Sequence, residues 1–482
     1  MKKYGFDCCD IIERGDRHLK IGLIDADLLD HGTRYPNLVL LKISGYCKHY
    51  GHDVYLIEDY SEIDQRSEKC KYFDILAMSC VFSFTYSSMI KKYPFIEKLI
   101  DDGKIHIGGT GFPELSTQSF LEAEEEYNKL LKNKVSSQEL AKIQYKANLP
   151  HVVEHFMPDY HLYDKYIELK TNGDAKLKKR NWDDYLSYSI GFTTRGCFRQ
   201  CGFCVNKKLN HVIRWSPVEE FLSKEPERKY INLWDDNIMG APNSVFKKVM
   251  NDLIASGKPF QFRQGMDIRL MNDAKAELLN KVKYHGDFIY AFDHYKKDDS
   301  KERKQVNATI RGLKKWRQHC KKSTKLYVIV AFDNQGENDD KVKDIEGTFM
   351  RIQILMRYGC LPYIMRFEKW KTSEFRGMYI QIARWCNQPG FFKKMSFRQY
   401  CVRNEEFHLG IQDSHPDRPH LDHLEYPDTH ERVAKEDELT FAKMLGKNNL
   451  CSAYRVMRDF EDKYPGIARR YFDMRFEDLK RY

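Results

Sequence analysis

Cys197, Cys201 and Cys204 stand in the run Thr194-Arg195-Gly196-Cys197-Phe198-Arg199-Gln200-Cys201-Gly202-Phe203-Cys204, a C-x3-C-x2-C spacing. Thiolates this close in sequence converge on one metal centre. Three of them leave a four-coordinate iron–sulfur cluster one ligand short, and the open iron is then the functional point. A structural zinc site instead wants four closed ligands, commonly as two C-x2-C knuckles. No second knuckle follows in the chain. A fourth ligand from elsewhere, such as His211, would complete a zinc site, so that reading stays open. Gly196 and Gly202 suit a backbone that turns tightly around a cluster with its amides facing sulfur.

The loop must be positioned by what precedes it, an apolar alternating strand over 186–193. A β/α series continues from there, with strands at 230–234, 260–266, 288–292, 325–331 and 362–367. Ser216-Pro217-Val218-Glu219 reads as a helix start. The helices around Val249 and Ile354 stop at Gly257 and Gly359. In a barrel of parallel strands, reactive groups sit at the carboxyl ends, where the three cysteines fall. Asp293 and Asp333 end two further strands, as cavity-facing acids or as helix caps.

An earlier series alternates strands at 20–24, 53–57, 73–81 and 104–107 with a helix that has Pro36 in its first turn and another over 85–100, predicting a parallel sheet covered on both faces. Its last strand enters Gly108-Gly109-Thr110-Gly111, a bare turn able to approach a phosphate or cofactor tail. Residues 120–149 read as a solvated helical hairpin. The Lys176, Lys178, Lys179, Arg180 run after Asn172-Gly173 reads as an exposed hairpin or loop, with a nucleic-acid contact as the sharper alternative.

The 482 residues allow two or three domains, and 42% hydrophobic with 13% aromatic content predicts a globular chain. No run of about 18 apolar residues occurs, and the start, Met-Lys-Lys-Tyr-Gly-Phe-Asp, lacks the apolar core of a secretion signal. The expected location is the cytoplasm, away from membranes. Thirteen cysteines outside any regular framework read as reduced thiols, most of them packing residues. A net charge of +10, from 80 basic and 70 acidic residues, permits a polyanionic partner without indicating one.

The cysteine triad, with Phe203 before its last member, resembles the loop of the radical S-adenosylmethionine (SAM) superfamily, and the six later strands resemble that family's partial (β/α)6 barrel. The resemblance implies a [4Fe-4S] cluster on Cys197, Cys201 and Cys204, with SAM's amino and carboxylate groups on the open iron. Reductive cleavage of the sulfonium would then give methionine and a 5′-deoxyadenosyl radical acting on a substrate. Trp234-Asp235-Asp236-Asn237 stands where the family places a carboxylate for the SAM ammonium, implying at least one of Asp235 and Asp236, with a solvated turn as the alternative, although the usual Gly-Gly-Glu is missing. Gln264-Gly265-Met266-Asp267-Ile268-Arg269 resembles a Q-G-L-D-x-R segment. It implies cofactor contacts at Gln264, Asp267 and Arg269, with a mutual Asp267–Arg269 salt bridge as the equal alternative. Arg366 is implied as a contact for SAM or a substrate anion. Ala383-Arg384-Trp385-Cys386-Asn387 also recurs in related sequences.

The N-terminal series resembles a cobalamin-binding domain, but the D-x-H-x-x-G pattern that supplies cobalt's axial histidine is absent, and His31 in Asp30-His31-Gly32 has a different spacing. Either cobalamin binds without a protein histidine, or the fold persists without the cofactor, which is the expectation here. The implied organisation is a Rossmann-like domain over 1–117, a helical insertion and linker over 118–184, a radical SAM barrel over 185–400 and a mainly helical extension over 401–482. A flavodoxin or ferredoxin would donate the electron. Two other functions stay open: a radical SAM enzyme that modifies nucleic acid or tRNA, and a zinc-stabilised interaction protein without catalysis. His415, His420, His423 and His430 are read as solvated.

Overall fold

Five of the six residues of β1 (Lys20–Asp25) are buried, as a strand covered on both faces requires. The structure is a computed structural model that describes residues 12, 17–112, 149–199, 201–204, 210–294, 300–332, 338–409 and 451–482. β1 lies beside β2 (Asp53–Leu56) and β3 (Ile75–Ser79), and β3 carries β4 (His106–Gly108). All pairs are parallel, in the order β2-β1-β3-β4. Alternate side chains feed two cores. Ile21 and Leu23 pack with Leu40 and Leu41 and with linker residues Val153, Tyr163 and Ile167. Ile24 and Met78 pack with Met89, Ile96 and Ile100 on the other side.

Helices α1 (Ala26–His31) and α2 (Leu38–His49) follow β1, and Asn37 caps α2 by accepting from the amides of Val39 and Leu40 at 3.1 and 3.4 Å. The single helix expected over 85–100 is two, α3 (Ser83–Lys92) and α4 (Pro94–Asp101). Pro94 has no N–H to continue α3 and instead starts α4. The linker contributes α5 (His151–Glu154), α6 (Asp164–Thr171) and α7 (Ala175–Leu186). The basic run expected in a hairpin or loop lies on α7. Asn172 and Gly173 take positive φ, and Asp174 then caps the helix through the amides of Lys176 and Leu177 at 2.7 and 3.1 Å. Residues 120–148 of the expected helical insertion lie outside the described residues.

The chain divides into two compact units, 1–263 and 264–482, at a boundary inside the span expected for the barrel. The six later strands form two parallel three-stranded sheets. In the first unit, β5 (Tyr188–Gly191), β8 (Tyr230–Leu233) and β9 (Phe260–Phe262) pair in that order. In the second unit, β10 (Phe288–Ala291), β11 (Thr324–Val330) and β12 (Leu361–Arg366) do the same. The first unit also holds β6 (Thr194–Arg195) and β7 (Ile213–Arg214) and the helix α8 (Asn243–Ala255). Ser216 does not start the expected helix. Its hydroxyl lies 3.4 Å from His155 Nδ1 instead, and only a short 3-10 turn, Val218–Glu220, follows.

In the second unit, α9 (Asp273–Lys281), α10 (Ser300–His319) and α11 (Asn338–Arg357) connect the strands. Arg351 is fully buried and donates to the carbonyls of Phe292, Asp293 and Ile329 at 3.3, 3.2 and 2.9 Å. Asp344 accepts from the Ala331 amide at 2.8 Å and from the Tyr379 hydroxyl at 2.6 Å, pinning Ala331 at a φ of 63°. Helices α12 (Arg376–Cys386), α13 (Pro389–Lys394), α14 (Phe397–Leu409), α15 (Ser452–Lys463), α16 (Pro465–Tyr471) and α17 (Phe476–Leu479) complete the unit. Of the cysteines given a packing role, Cys8 and Cys9 lie outside the described residues; the others are free thiols, six of them buried, but Cys70 is exposed and packs no core. The four tail histidines and Asp333 lie outside the described residues. Among the described residues, no helix is long and apolar enough to cross a membrane.

Candidate metal centre

Beyond β5 the chain runs through Phe192 and Thr193 into β6, which pairs antiparallel with β7 in the register Thr194↔Arg214 and Arg195↔Ile213. The Trp215 amide donates to the Thr193 carbonyl at 2.9 Å. The cysteine loop therefore leaves the sheet from a zipped stem. That stem is fastened to the end of β8 by Asp235, whose Oδ1 accepts from the Thr193 hydroxyl, the Thr194 amide and the Thr194 hydroxyl, each at 2.6 Å. Its Oδ2 accepts from the Thr193 amide at 3.1 Å. An ionised carboxylate offers about two acceptor positions on each oxygen, so Oδ1 is saturated by the stem. Burial pushes the Asp235 carboxyl up, against the hydrogen bonds from both threonines that pull it down.

The next acid reaches one step further along the loop. Asp236 Oδ2 accepts from the Gly196 amide at 2.6 Å, and Gly196 holds a φ of 93° that a side chain would strain. Sequence reasoning gave at least one of the two acids to the SAM ammonium. The geometry gives Asp235 to the loop, because it is buried with four hydrogen bonds from the stem, and leaves Asp236 with Oδ1 free of any partner among the described residues.

Arg195 anchors the other side of the stem. Its guanidinium stacks over Phe192 at 3.3 Å from the ring centroid and lies 3.3 Å from Glu154 Oε1. The same oxygen accepts from Lys42 at 3.1 Å and from Trp215 Nε1 at 3.2 Å, and Lys42 also donates to the Glu154 carbonyl. Burial would push the Glu154 carboxyl up, but the charges of Lys42 and Arg195 and the hydrogen bonds outweigh it and hold it below the usual carboxylate range. Lys42 lies on α2 and Glu154 on α5, so a buried ion network joins the N-terminal sheet and linker to the cysteine loop.

Cys197, Cys201 and Cys204 are free thiols, each partly exposed. The amide of Cys204 donates to the carbonyl of Cys201 at 3.0 Å, closing a turn between them. Among the described residues, no group of three or more His, Cys, Asp or Glu side chains is arranged to hold a metal ion. That holds for the three thiols and for His211 alike, so neither ligand set is preassembled. Metal ligands commonly reach their final geometry only on binding, when the metal charge offsets the repulsion between thiolates.

The donor set fits an iron–sulfur cluster: three soft thiolates on one short loop, with a carboxylate oxygen and a buried amide beside them. The amide is Asn237, which sequence reasoning passed over. It is 4% exposed, its Nδ2 donates to Cys197 Sγ at 3.4 Å, and its Oδ1 has no partner among the described residues. Its only sequence signal was a polar residue directly after two acids at a strand end.

The second unit holds the other candidates. Asp267 and Arg269 form the mutual pair, with Nε at 2.7 Å from Oδ1 and an Nη nitrogen at 3.0 Å from Oδ2. The other Nη nitrogen of Arg269 donates to His294 Nε2 at 2.7 Å and to Gln305 Oε1 at 2.9 Å, so its fork is turned inward rather than toward a ligand. Burial pushes the Asp293 carboxyl up. Gln264 is exposed. Arg366 is also exposed and stacks over Trp370 at 4.2 Å.

At the carboxyl ends of β1 and β3, where a parallel sheet of this kind admits a ligand, the chain fills its own crevice. The Tyr163 hydroxyl donates to Asp25 Oδ2 at 2.7 Å and accepts from the Asn37 amide at 3.1 Å, and Asn37 Nδ2 donates to the Ser79 hydroxyl at 2.8 Å. In the glycine turn only Gly108 has open space beside it. A Cβ on Gly109 or Gly111 would strike the Cys80 backbone or sulfur at 2.2 and 2.6 Å, so these glycines serve close packing. His31 sits against the rings of Phe82 and Phe84. These residues do not fit a cobalamin tail.

No protein-family model and no curated protein matches the chain. Among solved structures it is similar to a cobalamin-dependent S-adenosylmethionine radical enzyme, OxsB, described with aqua-cobalamin bound. The two share 14% identity at a TM-score of 0.35, over 97% of this chain and 58% of that one. The chain thus spans 58% of the length of that enzyme. Likeness at this level transfers no residue role.

Proposed function

We propose that the chain is a radical SAM enzyme whose cluster is held by Cys197, Cys201 and Cys204. The observation that carries this is the fastening of a three-thiol loop to the carboxyl end of a neighbouring parallel strand by Asp235, Asp236 and Asn237. When bound, a [4Fe-4S] cluster supplies the electron that cleaves SAM reductively to methionine and a 5′-deoxyadenosyl group. The chain's own work is to hold and orient. Asp235 fixes the stem, Arg195 and Glu154 brace its flank, and Asp236 Oδ1 with Asn237 Oδ1 supply acceptors for the SAM ammonium. Gln264 and Arg366 are the second unit's candidates for a polar or anionic ligand. A small one-electron donor protein completes the system, and the substrate is a molecule with an abstractable hydrogen.

The test is anaerobic reconstitution followed by dithionite and SAM. Wild type is expected to hold iron and sulfide at about four each per chain and to form 5′-deoxyadenosine, whereas Cys201→Ala holds neither cluster nor activity. One zinc per chain in place of iron would favour the non-catalytic scaffold. Unaltered SAM cleavage by Cys201→Ala would sink the proposed site.

A further inference from the structure

Asn237 has a geometry that loop fastening alone does not require. Its side chain is buried at the end of β8 with one amide hydrogen aimed at Cys197 Sγ, 3.4 Å away. The pocket around it is made by the absence of a side chain at Gly240. A Cβ there would come within 3.2 Å of Asn237 Nδ2, 3.1 Å of Phe198 and 3.0 Å of Val212. The backbone turn is closed by the Gly240 amide donating to the Asn237 carbonyl at 2.9 Å, so main chain and side chain are fixed together. A thiolate only accepts hydrogen bonds, so an amide N–H facing it is the compatible arrangement, and a carboxylate of the same shape would repel it.

We infer that Asn237 is a positioning residue that tunes the metal centre, donating a hydrogen bond to the sulfur of Cys197 and raising the reduction potential of the cluster bound there. This rests on the function proposed above. The physical reason is charge: a reduced cluster carries one more electron than the oxidised one, so a donor facing its sulfur stabilises the reduced form more. The effect is local, because it acts through one ligand and leaves the iron count unchanged.

The experiment compares reconstituted wild type with Asn237→Leu, which keeps the bulk and removes the donor, and Asn237→Asp, which places an acceptor against sulfur. Each is titrated anaerobically with the reduced cluster followed by electron paramagnetic resonance. The expected result is iron content near wild type in Asn237→Leu with a more negative midpoint potential, and a further negative shift or loss of iron in Asn237→Asp. An unchanged potential at full iron content overturns the inference. A second measurement needs no variant: wild type made with 15N-labelled asparagine is expected to show a 15N coupling to the reduced cluster in pulsed spectra. Its absence overturns the inference even where the variants lose iron. A wild type that takes up no iron overturns the proposed function, and this inference with it.

Discussion

Asp235 and Asp236 are adjacent in sequence and alike in chemistry, yet their surroundings separate their tasks. Replacing Asp235 by Ala leaves four donors on Thr193 and Thr194 without their acceptor in a buried place, at about 1–3 kcal/mol for each group left unpaired. The stem of the cysteine loop is then expected to loosen, and the reconstituted variant to lose most of its iron on gel filtration. Full iron retention would show that the clasp is dispensable. Asp236→Asn keeps an oxygen for the Gly196 amide but removes the charge. It should retain iron and weaken SAM binding by about ten-fold or more, since a charge-assisted hydrogen bond contributes roughly 1.5–3 kcal/mol. Equilibrium dialysis against SAM checks this, and equal affinity would mean that Oδ1 meets no ammonium. The sequence placed both acids at a strand end; it could not divide them, because the division depends on two threonines 41 and 42 positions away.

The crevice of the N-terminal sheet decides its own occupancy. Tyr163, 2% exposed, fills it from the linker, so purified protein is expected to carry no corrinoid after gel filtration even when cells are supplied with cobalamin. A stoichiometric corrinoid spectrum would show that the tyrosine yields. The same contact has a pH signature. Burial pushes the Asp25 carboxyl up to about 6, against the pull of the Tyr163 and Leu28 hydrogen bonds. An unfolded aspartate titrates near 3.9, so its protonated form is favoured in the fold. The contribution of this group is fully present below about pH 4 and is lost as the pH rises through about 6. The loss is on the order of 3 kcal/mol above that range. Asp25→Asn should therefore gain melting temperature relative to wild type as the pH rises from about 4 to about 6, and hold that gain above it. A constant difference across that range would mean that Asp25 is charged throughout. The alternating strands were legible in sequence, because they depend on neighbours a few positions apart, whereas Pro36, read as a first-turn proline, lies just before the cap that Asn37 forms. The plug was not legible, because Asp25 and Tyr163 meet across 138 positions.

At the scale of the molecule, each unit carries three parallel strands of the expected series and its own buried polar anchors. In the second unit the segment 451–482 is packed by Arg398, which is buried and reaches Glu461 at 2.8 Å and Asp473 at 2.9 Å, while Phe349 lies against Tyr471 and Phe472. Removing the arginine leaves two acids facing each other without their cation, which for a buried pair costs about 3–5 kcal/mol. Arg398→Leu is expected to lower the urea midpoint of unfolding and to expose the segment to limited proteolysis. Unchanged protection would mean that the aromatic contacts suffice. The sequence by itself determined the alternation of strands and helices, the address of the three cysteines at a strand end, and the covered parallel sheet, since periodicity and spacing are local properties of a chain. Tertiary structure alone decided that Asp235 belongs to the stem and Asp267 to Arg269, that Tyr163 closes the N-terminal crevice, and that Asn237 faces Cys197. Each of these turns on which lone pairs and N–H groups remain unpaired once distant segments have met, and no single segment carries that information.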